Sequence, residues 1–472
     1  MLKKEKIIDD FVNDNLNNVS KTFCLAKYDQ FTVQLHLGAV QSCHLSHTNK
    51  INESMIEHPF SYFNFKEIVD LRKKMKKGEQ INDCEYCWKI ENSANLNSER
   101  HIKSFTLRDR FEEIKNMDLD EDIIIPSYLE LSFSNLCNFK CSYCNSKFSS
   151  RWEKDIIEKG EFNVKGSSIT KYNLTKNNLS NVVDIFWIHF PEILKNLKTL
   201  RITGGEPTIQ KELYTNIFDY LIANPRPDLE LSINTNLGAN KKILDKFISK
   251  IKLLKNKVKN INIFTSCDTS GEHAEFIREG LNYDYWKSNC YRILNELDFV
   301  TLNFMCTLNN LCLSDNFITF INDIYDMTKF SIGKTNGSGR TYLNIELLLH
   351  PEFQSIDFLD YDLFRSIIIK IENEIEKMKV VIDKDNLISS KGFSEIEINR
   401  FFRIKKIISS KNKKNDLEIK NNFLLFLEEI SRRNNKNYLD IFKDNQYIKF
   451  FERIKNKKND ENDFLFNNKF LN

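Results

Sequence analysis

Between residues 128 and 348 the chain alternates apolar and polar positions in six short runs, and the intervening stretches carry apolar residues at helical spacing. Tyr128-Leu-Glu-Leu-Ser-Phe133 is the first run, and 197–203, 229–234, 261–266, 299–305 and 341–348 are the others. Period-two alternation over such lengths predicts strands, and the spacing over 179–197, 211–223, 241–254 and 282–297 predicts helices. Strands alternating with helices imply a parallel sheet with right-handed crossovers. Six units predict an α/β fold, a partial (β/α)6 barrel of TIM-like form, in which chemistry belongs at the C-terminal ends of the strands.

Outside this region the pattern changes. Residues 31–40 read as a hairpin turning at Leu37-Gly38-Ala39, followed by a helix over 65–77. A helix over 364–379 closes the last unit. Helical segments then follow at 395–409, 421–433 and 446–455, joined by Lys/Asn-rich connectors such as Lys411–Asn415, which reads as a solvent-exposed loop. The expected organisation is a small N-terminal region over 1–115, the barrel over 125–380 and a C-terminal helical extension over 381–472.

Composition is that of a globular protein, with 41% hydrophobic and 29% charged residues in 472. A length of this order suits two or three domains. The 69 basic and 66 acidic residues leave a formal charge of +3, so charge does not indicate a nucleic-acid binder. No apolar run reaches the length of a membrane span, and Met1 to Asp10 lacks the apolar core of a secretion signal, so a cytoplasmic protein is expected. In that compartment eleven cysteines point to metal or catalysis rather than disulfides.

Three cysteines fall in Cys137-Asn-Phe-Lys-Cys141-Ser-Tyr-Cys144, directly after the first strand. Three thiolates in one loop hold three irons of a [4Fe–4S] cluster and leave the fourth iron open to a small-molecule ligand. A zinc site prefers four ligands and C-x2-C pairs. The second predicted strand runs into Thr203-Gly204-Gly205-Glu206-Pro207, where the glycines permit close backbone approach and the carboxylate suits an ammonium group.

The C-x3-C-x2-C spacing with Tyr143 before the third cysteine, together with Gly-Gly-Glu-Pro after the next strand, resembles the radical SAM superfamily. The resemblance implies a [4Fe–4S] cluster on Cys137, Cys141 and Cys144 and S-adenosylmethionine bound at Tyr143, Gly204, Gly205, Glu206 and Pro207. It extends to Asn234-Thr235-Asn236 after the third strand, to Ser266 and Asp268 near the nucleoside ribose after the fourth, and to Arg278, which looks like the arginine that pairs with the carboxylate of S-adenosylmethionine. It also implies reductive cleavage of S-adenosylmethionine, hydrogen abstraction from a substrate, and an electron donor of flavodoxin or ferredoxin type. No individual acid, base or hydrogen-donor residue is assigned.

Four further cysteines, Cys24, Cys43, Cys84 and Cys87, precede the barrel. The helix over 65–77, the C-x2-C pair, Glu91, Ser98-Glu-Arg100 and the Ser149-Ser150-Arg151-Trp152 run resemble a subgroup that places a twitch domain, a shortened SPASM-like domain, first in the chain. That resemblance implies an auxiliary [4Fe–4S] cluster on the four thiolates. Zinc on Cys84 and Cys87 plus two of Cys24, Cys43, His44 and His47 is the rival. Cys267, Cys290, Cys306 and Cys312 read as buried apolar residues, with hydrogen-atom donation by Cys306 or Cys312 as the sharper alternative. Gly333-Lys-Thr-Asn-Gly-Ser-Gly339 lacks the order of a phosphate-binding loop and reads as plain connection.

The expected substrate is a peptide or protein side chain held in a cleft between twitch region and barrel. The alternative is dehydrogenation or epimerisation of a small metabolite (a sugar, nucleotide or amino-acid derivative) in a closed pocket capped by the C-terminal helices. From another class comes a non-catalytic zinc-bound scaffold or RNA-binding protein.

Overall fold

The computed structural model describes residues 3–44, 46–94, 97–164, 179–333, 340–379, 392–409 and 417–456. The expected loops at Lys411–Asn415 and beyond Gly333 lie outside the described residues. The N-terminal region contributes β1 (Gln30–Gln34), β2 (Ala39–Ser42) and β3 (Asn49–Lys50). The barrel contributes β4 (Tyr128–Ser132), β5 (Lys140–Cys141), β6 (Thr199–Thr203), β7 (Arg226–Thr235), β8 (Val258–Ser266), β9 (Arg278–Glu279), β10 (Val300–Leu308) and β11 (Thr341–Leu347).

Nine of these strands form one sheet in the order β11-β10-β8-β7-β6-β4-β1-β2-β3. The pairs from β11 through to β1 are parallel, and β1·β2 and β2·β3 are antiparallel. The α/β fold with a partial TIM-like barrel is therefore present, with one addition. The N-terminal hairpin, expected as a local unit, adds β1 to the parallel set beside β4, so the sheet runs unbroken from the N-terminal region into the barrel. Pairing across about a hundred residues of intervening chain leaves no trace in local periodicity.

The helices lie outside the sheet, on the apolar face of its pleat. Leu129 and Leu131 of β4, Leu200 and Ile202 of β6, and Val300, Leu302, Phe304, Cys306 and Leu308 of β10 are all buried among them. The opposite face is polar: Thr32 and Gln34, Glu130 and Ser132, Arg201 and Thr203, Asn303 and Thr307 alternate with the apolar set. A TIM barrel normally fills its interior with branched apolar side chains. This one lines its interior with hydrogen-bonding groups, and so holds a cavity where a core would sit.

The free edge at β11 is stopped by the Glu395–Ile408 helix. Its capping-box residue Glu397 accepts the Leu343 backbone N–H at 2.7 Å, which occupies a group that would otherwise recruit another strand. The C-terminal helices dock on the segments after β10 and β11: Tyr447 Oη donates to the Asn310 carbonyl at 3.0 Å, and Phe358, Phe423 and Phe450 pack together. Among the described residues no helix is long and apolar enough to cross a membrane.

Candidate active site

The loop after β4 brings Cys137, Cys141 and Cys144 to the wall of a cavity of about 460 Å³. The Ser149–Trp152 run cradles this loop. Ser150 Oγ accepts the Cys137 N–H at 3.1 Å, Ser149 Oγ donates to the Phe139 carbonyl at 2.7 Å, and Trp152 Nε1 donates to the Cys141 carbonyl at 2.8 Å. On the other side β5 pairs with β9, so Cys141 lies opposite Arg278. Arg278 Nη1 points at Cys141 Sγ (3.7 Å) and the Phe139 N–H at Cys137 Sγ (3.4 Å), the kind of donors that stabilise cluster thiolates.

Burial first, then mutual repulsion with Cys141, pushes the Cys137 and Cys144 thiols up, Cys144 to about 12. Burial also raises Cys141, against the lowering influence of Arg278. Three crowded thiols of this kind gain by giving up their protons to a cationic iron centre. The donor set fits a [4Fe–4S] cluster.

The Gly-Gly-Glu-Pro loop forms the adjoining wall. A Cβ on Gly204 (φ +76°) would lie 1.7 Å from Ser132 Oγ, and one on Gly205 (φ +55°) 2.3 Å from the Leu136 carbonyl, so both positions demand glycine. Glu206 lines the same cavity. It is 1% exposed, and its oxygens accept the Thr208 N–H (3.1 Å), Thr208 Oγ1 (2.5 Å), Thr235 Oγ1 (2.7 Å) and the Asn236 N–H (2.6 Å). Three of these bonds fall on Oε1 and one on Oε2, and together they tie the glycine loop to the end of β7; Gly204 and Gly205 line the cavity. Pro207 sits behind, opening a short turn.

Asn234, Thr235, Asn236 and Ser266 line the cavity. Asp268 lies behind it, fully buried. It accepts two hydrogen bonds from Arg278 (2.8 and 2.9 Å), one from Tyr143 Oη (2.8 Å) and one from the Thr307 N–H (2.8 Å). The structure thus places Arg278 on Asp268, and the pair fixes the Tyr143 ring and the Cys141 sulfur. Cys306, on the helix-facing side of β10, and Cys312, buried in the following loop, are both away from the cavity lining, as burial predicts and hydrogen donation does not.

Cys24, Cys43, Cys84 and Cys87 line one smaller cavity, together with Lys27, Arg100 and Lys103. Arg100 joins Glu91 by two bonds (3.0 and 2.9 Å) and the Phe23 carbonyl at 2.8 Å, and Ser98 Oγ donates to the same Glu91 at 2.5 Å, so this run clamps the Cys24 segment to the Cys87 helix. Lys103 Nζ lies 3.4 Å from Cys43 Sγ. Cys43 has φ +77°, an uncommon conformation for a non-glycine residue. Burial and the neighbouring thiols push up Cys24, Cys84 and Cys87, the last to about 12. Neither His44 nor His47 lines this cavity, and among the described residues no three His, Cys, Asp or Glu side chains converge on one ion-sized point.

Residues that motif reading missed are the inward positions of the strands: Thr32, Gln34, Gln41, Glu130, Thr203 and Thr307 all line the large cavity. Strict alternation in strands that a parallel sheet normally buries on both faces was the signal available.

Residues 131–311 match the profile of the Radical SAM superfamily. The chain is 30% identical over 109 residues to a GTP 3′,8-cyclase of Campylobacter lari and 28% identical over 109 residues to one of Nautilia profundicola, in each case over 23% of this chain and 27% of the relative. The matched stretch is thus about a quarter of the length of those relatives. The solved structure of Streptococcus suis SuiB bound to S-adenosylmethionine aligns over 74% of this chain and 68% of that one, at 14% identity and a TM-score of 0.31. The profile match spans the cysteine loop, the glycine loop and the Asp268–Arg278 brace, so residues 131–311 carry the match to the Radical SAM superfamily.

Proposed function

We propose that this enzyme binds S-adenosylmethionine in the large cavity and abstracts a hydrogen atom from a peptide or protein side chain held between barrel and N-terminal hairpin. Cys137, Cys141 and Cys144 would hold a [4Fe–4S] cluster, which would supply one-electron reduction of S-adenosylmethionine and so a 5′-deoxyadenosyl radical. The Gly204–Gly205 backbone, Asn234, Asn236 and Ser266 receive the nucleoside and amino-acid portions, Tyr143 packs against them, and the Arg278–Asp268 pair keeps Tyr143 and Cys141 in place. The electron comes from a flavodoxin or ferredoxin in a reducing cytoplasmic setting.

The observation that carries this reading is that three thiols and two obligatory glycines share a cavity whose remaining wall is the polar face of the sheet. Cys141→Ala tests it. Under anaerobic reduction the variant yields no 5′-deoxyadenosine; continued formation refutes the assignment.

We assign the four N-terminal thiols to an auxiliary cluster of a twitch-like domain. Cys43 donates its backbone N–H to the Gln30 carbonyl at the start of β1, whereas Cys137 follows the end of the parallel strand β4. The two cysteine sets therefore lie at opposite ends of the strands, and the large cavity reaches from Cys137 to His44, next to Cys43. A substrate between them is positioned to lose a hydrogen atom at one end and an electron at the other.

The peptide reading is supported by a second cavity of about 300 Å³ that shares Gln34, Gln41 and Phe148 with the first and extends the space alongside the hairpin. None of the described residues after 380 lines the large cavity, so the C-terminal helices do not cap it. The second reading, a small metabolite, is favoured by the partial similarity to GTP 3′,8-cyclases. Turnover of a precursor peptide against turnover of GTP separates the two.

A further inference from the structure

The inward face of β1 continues the polar rows of the barrel. Register places Gln41, Thr32, Glu130 and Arg201 side by side in one row, and Gln34, Ser132 and Thr203 in the next row towards the cysteine loop. Among these groups Gln34 is anomalous. It is 6% exposed, it lines the cavity, and its Oε1 is buried without a hydrogen-bond partner among the described residues.

The amide orientation follows from its neighbours. The Ser46 carbonyl can only accept, so Gln41 must present Nε2 to it; Gln41 Oε1 then accepts from Gln34 Nε2 at 3.0 Å. Rotating Gln34 would set oxygen against oxygen. Its carbonyl is therefore held as an acceptor, and a buried acceptor left unpaired is costly to the free protein.

The charges around it point the same way. Of the titratable side chains lining the cavity, Glu206 accepts four bonds from the chain and Arg278 is bound to Asp268. Glu130 is not saturated: it accepts Thr203 Oγ1 at 3.1 Å, and Arg201 Nε stands 4.0 Å away, beyond hydrogen-bonding distance. At the far end His44 is bonded to Lys103 at 2.6 Å.

We propose that Gln34, backed by Glu130, is a specificity-determining residue that receives a nitrogen-borne hydrogen-bond donor of the substrate (an amine, guanidinium or carboxamide) and discriminates against carboxylate and phosphate. The assignment rests on reading the cavity as the substrate chamber, and it deepens that reading by naming the chemistry of the group seated there.

The test is titration calorimetry on anaerobic enzyme loaded with its cluster and S-adenosylmethionine, using N-acetylarginine amide, N-acetyllysine amide, N-acetylglutamine amide, guanosine and, as the near-isosteric carboxylate, N-acetylglutamate amide. At least one nitrogen-donor probe binds, and at least about tenfold tighter than the glutamate derivative. An amino-acid amide as the best probe identifies a peptide source, guanosine a nucleoside one, and either supports the proposal. Gln34→Met weakens the best probe by roughly five- to hundredfold. Gln34→Glu tightens the cationic probes. Preferred binding of the glutamate derivative, no binding of any nitrogen-donor probe at millimolar concentration, or full affinity in Gln34→Met overturns it. Binding requires no cleavage of S-adenosylmethionine, so this result stands or falls separately from the Cys141→Ala experiment.

Discussion

Glu206 is a motif carboxylate that the protein itself engages. Its type and position after β6 match a carboxylate aimed at an ammonium group, yet the protein supplies all four of its hydrogen bonds, and burial pushes its carboxyl up against their lowering influence. Glu206→Ala should cost at least about 3 kcal/mol in denaturant unfolding, because hydrogen bonds to a buried charge are among the strong ones. Gly204→Ala should abolish binding of S-adenosylmethionine, measured by equilibrium dialysis, since the added methyl meets Ser132 Oγ at 1.7 Å in a left-handed backbone. Replacing Cys84 and Cys87 together by Ala should remove about half of the iron and sulfide while leaving the Cys137 set loaded. Unchanged iron after that double substitution refutes the auxiliary cluster.

At the scale of elements, the Ser150–Lys159 helix binds the cysteine loop to the C-terminal extension. Asp155, on this helix, holds Lys140 Nζ at 2.9 Å from within the cysteine loop and Arg433 Nη1 at 2.9 Å from the Leu417–Asn434 helix, and Asn434 Oδ1 accepts from the same Lys140 at 2.8 Å. Burial pushes the Asp155 carboxyl up, but Arg433, Lys140 and Lys159 outweigh it and hold it at about 2. Since that lies below the unfolded value of about 3.9, the stabilisation is complete above about pH 4 and is lost as pH falls through about 2. Iron-free protein should therefore show a stability gap of order 2 kcal/mol between wild type and Asp155→Asn at neutral pH, closing in the acid limb of the unfolding curve. A gap that persists to about pH 2 contradicts the ion-pair account.

Over the whole molecule, one sheet carries both cysteine sets, with a polar chamber between them and an apolar skin of helices outside. The C-terminal helices belong to that skin: Phe423 and Phe450 cover Phe358, Phe450 covers Phe364, and Phe426 covers Phe353. Truncation before residue 417 uncovers these rings together. The shortened chain should be insoluble or melt far below the full one, and a shortened chain of normal melting temperature shows that the extension is dispensable. Much of this layout was legible beforehand. The six barrel strands, their helices and the three cysteines came from local periodicity and spacing, because pleat alternation and loop chemistry are written within a few residues of each other.

Sequence alone determined the parallel α/β barrel, the cysteine loop and the glycine loop, since each depends on neighbours in the chain. Tertiary structure decided the rest: that β1 joins β4, that Asp268 takes Arg278, that Glu206 is held by the end of β7, and that Gln34 keeps an unpaired carbonyl. Each of these is a choice of partner across the fold. Hydrogen-bonding groups accept many partners in principle, and only packing settles which ones they meet.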